Sequence, residues 1–148
     1  MLELHENALN VPDILSRWYQ KERSNNYGAY LSFVGTVRHE NGIEGLSFDL
    51  YEPILKRWFE AWQQRAKAEG AVVKMAHSMG DVMVHESSYV AAVFSPKRRV
   101  ALELIDAFVE DFKATAPIWK YDLKDGVRIY AKDRSAPIAG SGLLETRQ

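Results

Sequence analysis

The chain has 148 residues, 47% of them hydrophobic and 26% charged, with a net charge of −1 and no cysteine. That length suits one domain, expected to span 1–148, with enough chain to close a core. The near-neutral balance argues against generic nucleic-acid binding, which needs a basic excess on one face, and the missing cysteines exclude disulfides, a thiolate nucleophile and a Cys-based metal site.

No apolar run approaches the ~20 residues of a membrane span. The start, Met1 to Glu6, has neither the basic end nor the apolar stretch of a signal peptide. A cytoplasmic protein with no membrane partner is expected.

Asn10 and Pro12 announce a first helix, with Val11, Ile14, Leu15, Trp18 and Tyr19 on one apolar stripe. From Gly28 to Arg38 the pattern alternates: Ala29, Leu31, Phe33 and Val37 share one face, Tyr30, Ser32, Thr36 and Arg38 the other. Asn41-Gly42 is a hairpin signal, and Leu46, Phe48 and Leu50 fit a returning strand. Pro53 opens a second helix that runs to about Glu69 and stops at Gly70.

Two strands are predicted near Ala71 to His77 and near Ser88 to Phe94. A third helix follows, with Ser95 as N-cap and Pro96 as first residue, running from Lys97 to about Thr115. It is expected to bury Val100, Ala101, Leu104, Ile105, Phe108 and Phe112, and Pro117 forbids its continuation. Asp125-Gly126 turns into a short last strand, Val127 to Ala131. The order α-β-β-α-β-β-α-β, rich in hairpins, predicts an α+β fold with a largely antiparallel sheet and three helices. The segment 135–148 has little to bury and is expected to be a mobile tail.

The third helix breaks a local rule. Lys97, Arg98 and Arg99 fill its first turn, where cations oppose the positive end of the helix dipole at ~0.3–1 kcal/mol each. Free N–H groups there already favour anions, so the run predicts either an anion site or a solvated basic face. Lys113 and Lys120 bracket Ala116-Pro117-Ile118-Trp119, a rigid exit from the helix. A lysine in a partly dry pocket can serve as acid or base, though many lysines at helix ends only complement the dipole. Arg38 stands at a strand end, an exposed position as readily as a ligand. The four histidines show no metal-binding spacing, and His77 within a strand fits a core residue. No phosphate loop, nucleophile elbow or paired carboxylates stand out, and neither metal nor cofactor is expected.

Taken together, three segments resemble the molybdopterin synthase catalytic subunit family. The strand Gly28-Ala29-Tyr30-Leu31-Ser32-Phe33-Val34-Gly35-Thr36-Val37-Arg38 is similar to the family's GA-x3-F-x-G-x-VR pattern. Ser95-Pro96-Lys97-Arg98-Arg99-Val100-Ala101-Leu102 takes the place of its S-x-HR helix start. Phe112-Lys113-Ala114-Thr115-Ala116-Pro117-Ile118-Trp119-Lys120 matches its LK-x-x-x-P-[IF]-WK signature, the most specific of the three. The chain departs from the family pattern in four places: Lys97 stands for a histidine, Asp122 for a glutamate, Thr36 for a frequent lysine, and His77-Ser78 for a His-Arg pair.

The resemblance implies an α/β-hammerhead fold and a sulfurtransferase of molybdenum cofactor biosynthesis. A small ubiquitin-like carrier subunit would insert its C-terminal Gly-Gly thiocarboxylate, and sulfur would pass to cyclic pyranopterin monophosphate. It implies Lys113 and Lys120 as catalytic residues. Thr36, Val37, Arg38, Lys97, Arg98, Tyr121, Asp122 and Lys132 are implied as substrate-binding residues. It also implies a homodimer core within a heterotetramer. The substitution at Lys97 leaves a second possibility, a non-catalytic relative that only docks the carrier. Lys97 and Lys113 stand sixteen residues apart on one predicted helix, a separation of roughly 24 Å. If both serve one small ligand, they must come from two copies of the chain.

Overall fold

The structure is a computed structural model that describes residues 1–131. Lys132 and the expected tail at 135–148 lie outside the described residues. The elements run β1 (Leu2–Glu6), α1 (Val11–Glu22), β2 (Ala29–Thr36), β3 (Gly45–Leu50), α2 (Glu52–Ala68), β4 (Val72–Met83), β5 (Ser87–Ser95), α3 (Arg98–Thr115), β6 (Ile118–Lys124) and β7 (Val127–Tyr130). The expected α+β class holds. The sheet order is β2-β5-β4-β3-β6-β7, antiparallel throughout, with β1 added in parallel on β4.

The sheet is covered on both faces around β4 and β5. On one side, Leu55, Phe59 and Trp62 of α2 and Ala101, Leu104 and Phe108 of α3 pack against Val73, Met75, Ala91 and Val93. On the other, Ile14 and Trp18 of α1 pack against Ala76, Val90, Ala92 and Phe94. This two-sided cover explains why β5 is buried from Ser88 to Ser95 without the alternation of a half-exposed strand. β4 serves both halves of the sheet: residues 72–77 pair with β5 and 80–83 pair with β3. Gly80, at φ +78, stands where the pairing changes over, a conformation that costs glycine least.

Four local expectations are corrected. Asn41 and Gly42 do adopt left-handed turn geometry, yet the strands that flank them do not pair. β2 pairs with β5, and β3 lies between β4 and β6. Turn chemistry is local, whereas pairing follows the burial of whole faces. Leu2–Glu6 forms a strand that was not expected. So does Ile118–Lys124, a stretch to which the sequence pattern assigns no element. Finally, Ser95 ends β5, Lys97 is the N-cap of α3, and no side chain caps that helix.

One buried charge pair ties α1 to the sheet. Lys74 of β4 and Glu22 of α1 meet at 2.8 Å, with side chains 2% and 8% exposed. Asn25 donates a further hydrogen bond to Glu22 Oε1. Removing one partner of such a pair strands the other charge, whereas replacing both with apolar groups is often neutral. Glu22→Leu is therefore expected to destabilise the fold by about 3–5 kcal/mol in urea unfolding. The double variant Glu22→Leu/Lys74→Met should recover most of that loss; equal destabilisation by both would refute the account.

Candidate active site

The C-terminal end of α3 is held by hydrogen bonds from α2. Asp111 Oδ2 accepts from Trp62 Nε1 at 2.8 Å and from Trp58 Nε1 at 3.0 Å, and Trp58 also reaches Thr115 Oγ1. Thr115 in turn donates to the backbone oxygen of Asp111. At Ala116 the backbone turns to φ −64, ψ 138, the extended conformation favoured before a proline. Only Ala116 and Pro117, both buried, separate α3 from β6. Lys113 in the last helical turn and Lys120 on the new strand are thereby brought to one place.

That place is a cavity of about 240 Å³ between the sheet and α3. Lys113 and Lys120 both line it; Lys113 is exposed and Lys120 half-buried. The opposite wall comes from the end of β2. Register shifts between Gly35 and Thr36, and such an irregularity re-aims side chains. Both of these consecutive residues face the cavity. A Cβ on Gly35 would stand 3.3 Å from Tyr89 Cβ, so the glycine keeps that wall open.

The interior is aromatic. Tyr89 and Phe112 stack at 4.1 Å and 9°. His77 stands edge-on to Phe48 at 5.0 Å and lies 5.5 Å from Phe112. Burial lowers the His77 pKa to about 4, and the nearby Lys120 charge works in the same direction. Burial pushes the Tyr89 hydroxyl far up, so it is a phenol. The cavity is thus flat-walled, apolar in its depth and cationic beside α3. It is suited to a planar heterocycle that carries negative charge outside the ring.

The expected site residues fall into two groups. Thr36, Lys113 and Lys120 line the cavity. Val37 points into the core, 2% exposed, and offers only its backbone, whose N–H donates to Glu86 O at 2.9 Å. Arg38 follows β2, with its side chain 79% exposed and paired with Glu40 at 3.0 Å. Tyr121 faces away from the cavity, under Arg128 at 3.9 Å and beside Tyr130. Asp122 shares the Lys120 face of β6 by alternation, one step further from the cavity. Lys97 and Arg98 are exposed at the opposite end of α3.

Sequence reasoning did not select the walls Phe33, Phe48, His77, Tyr89 and Phe112. All are apolar or aromatic residues at strand or helix spacing, the same signal that core residues give. Among the described residues no group of three or more His, Asp or Glu side chains is placed to hold a metal ion.

The chain is similar to known proteins in sequence and in fold. The family model described as MoaE protein matches residues 4–115. A molybdopterin synthase catalytic subunit from Helicobacter pylori strain 26695 is 51% identical over 144 residues, covering 97% of this chain and 99% of the relative. Its counterpart from Dictyostelium discoideum is 32% identical, covering 80% of this chain and 77% of the relative.

Among solved structures, a protein–protein complex of subunits 1 and 2 of molybdopterin-converting factor from Helicobacter pylori 26695 contains a chain that is 50% identical. It superposes with a TM-score of 0.90, covering 97% of this chain and 98% of that one. Molybdopterin synthase from Staphylococcus aureus shares the fold, with a TM-score of 0.74 at 21% identity, covering 86% of this chain and 94% of that one. Matched by the family model over most of its length and by relatives well above 30% identity, the chain belongs to the MoaE protein family.

Proposed function

We propose that the chain is the catalytic subunit of a molybdopterin synthase, a sulfurtransferase that converts cyclic pyranopterin monophosphate to molybdopterin. The observation that carries this reading is the cavity itself. Its two lysines are set on either side of the Ala116-Pro117 turn, above aromatic walls, in a chain 51% identical to a molybdopterin synthase catalytic subunit. The sulfur donor is the C-terminal thiocarboxylate of a small ubiquitin-like carrier, in keeping with the two-subunit complex solved for the relative. The lack of cysteine in the chain suits a scheme in which the sulfur arrives on a partner. No described helix is long and apolar enough to cross a membrane, and a cytoplasmic location fits the pathway. Single-turnover conversion of the precursor with thiocarboxylated carrier tests the function directly; carrier binding without conversion would favour the non-catalytic reading.

Roles follow from charge. Lys113 and Lys120 stabilise the oxyanion formed when the thiocarboxylate carbon is attacked, and transfer protons as the phosphate ring opens. Lys113→Ala and Lys120→Ala are expected to keep the fold and the affinity for carrier while lowering turnover by roughly 10²-fold or more. Near-normal rates in both would remove them from the chemistry. The carrier's Gly-Gly tail enters beside the lysines, since glycines let a backbone pass closest to its surroundings. A bulky residue at the carrier's penultimate position should weaken both binding, by titration calorimetry, and sulfur transfer.

Lys97 and Arg98 cannot reach this cavity from their own subunit, because α3 holds Arg98 and Lys113 fifteen residues apart, roughly 22 Å along its axis. In a two-fold dimer they are supplied by the neighbouring copy, together forming two pockets with Arg38 and, by the family resemblance, Lys132. Support comes from the exposed apolar side chains Phe33 and Val34 on β2, at the end of the sheet, and Leu102 on α3. Mixing inactive Arg98→Ala with inactive Lys113→Ala subunits should restore activity to one pocket in each heterodimer. Exchanged, folded heterodimers that stay inactive would rule out the shared site.

A further inference from the structure

The cavity wall carries polar side chains that none of these roles uses, among them His77 and Tyr89. His77 lies on β4, only 2% exposed, yet it is part of the cavity wall. Its Nδ1 is 2.8 Å from the carbonyl oxygen of Ser78. A carbonyl only accepts, so Nδ1 carries the proton and donates. In the neutral ring this leaves Nε2 as a bare lone pair.

Because Nδ1 is anchored on the strand's own backbone, Nε2 on the far side of the ring faces away from the strand, toward the space under α3. The rings around it are Phe48, Phe112 and Tyr89, and the Lys120 charge is near enough to oppose its protonation. The two phenylalanines have no donor, and the Tyr89 hydroxyl has no hydrogen-bond partner among the described residues. That buried hydroxyl runs against the rule that interior polar groups are satisfied, and it shares the cavity wall with the lone pair that the Nδ1–Ser78 hydrogen bond leaves on Nε2. Leaving a buried hydroxyl so has a cost that a ligand reaching this wall can remove.

We propose that His77 is a substrate-reading residue, whose Nε2 accepts a hydrogen bond from a ring N–H of the flat, nitrogen-rich heterocycle held between the aromatic walls. This rests on the function proposed above and fixes the direction in which the substrate enters. A neutral acceptor among aromatic rings repels a phosphate oxygen and attracts an N–H edge. The heterocycle therefore goes in first, and the phosphate stays outside with the cations. His77 discriminates by accepting: a ring that offers only a carbonyl at this edge meets a lone pair and is rejected.

The test uses the assembled enzyme with unthiolated carrier, so that cyclic pyranopterin monophosphate binds without turnover. His77→Phe, which fills the aromatic cluster but cannot accept, should weaken precursor binding about tenfold and leave carrier affinity unchanged. His77→Gln, whose Oε1 extends toward the place of Nε2, should recover most of the affinity. A residue needed only for packing would not give this order. In the wild type, the Nε2 nitrogen resonance should be that of an unprotonated nitrogen and should shift upfield with precursor, and not with inorganic phosphate. A folded His77→Phe that binds within about twofold of wild type overturns the assignment. So does an Nε2 resonance unmoved by saturating precursor, a readout that stands even if the Phe variant does not fold. Failure of the wild type to bind or convert precursor would overturn the function itself, and the assignment with it.

Discussion

The geometry of the site depends on the two-residue connection between α3 and β6. Ala116 must be extended because Pro117 follows it, and Pro117 cannot continue the helix. The chain therefore leaves α3 along one path, with both residues of the turn buried. That path alone would fix only the direction of β6. The position of the helix end is fixed separately, by the two indole N–H groups that converge on Asp111. A turn with little freedom joined to a clamped helix end sets two lysines, seven residues apart in sequence, on one cavity. Preorganisation of this kind matters for a group that must meet charge as it develops, since no reorganisation is then needed during the reaction.

The same logic explains which parts of the site were legible in the sequence. Lys113 and Lys120 could be found through the resemblance of the segment from Phe112 to Lys120 to a family signature, since a lysine at a helix end taken alone only complements the dipole. The aromatic walls could not. Phe48 and His77 alternate with neighbours as any strand residue does, and Phe112 continues the buried stripe of α3. Their role emerges only when β3, β4 and β5 are laid side by side, a non-local fact set by pairing.

The fold shows the same division between local and non-local information. Helix boundaries at Asn10, Pro53 and Gly70 rest on local chemistry and agree with the structure. Partner choice does not: Asn41-Gly42 makes its turn, but β2 gains more by lying against β5. There Ala29 and Leu31 contribute to the core shared with α3. β1 escaped notice because five residues give a weak period, and its pairing with β4 lies more than seventy residues away. β6 escaped because the proline signal that ends a helix says nothing about what begins next.

The start of α3 is the converse case, a local anomaly that the fold sustains. Lys97, Arg98 and Arg99 oppose the dipole, the first turn holds no acidic residue, and no side chain caps the free N–H groups. Each cation costs ~0.3–1 kcal/mol when exposed, and a missing cap about 1 kcal/mol more. Ala101, Leu104 and Phe108, buried against β2 and β5, can offset this many times over, since one buried Phe or Leu contributes about 1.5–3 kcal/mol. The helix is therefore stable for reasons that lie in its middle, and its first turn is free to be selected for something else. Uncapped N–H groups together with three cations favour anions, and the cost they carry is one the buried middle of the helix can bear. The two ends of α3 thus differ in kind: the start is cationic and uncapped, the end is clamped beside the cavity, and the buried stripe between them holds both in place.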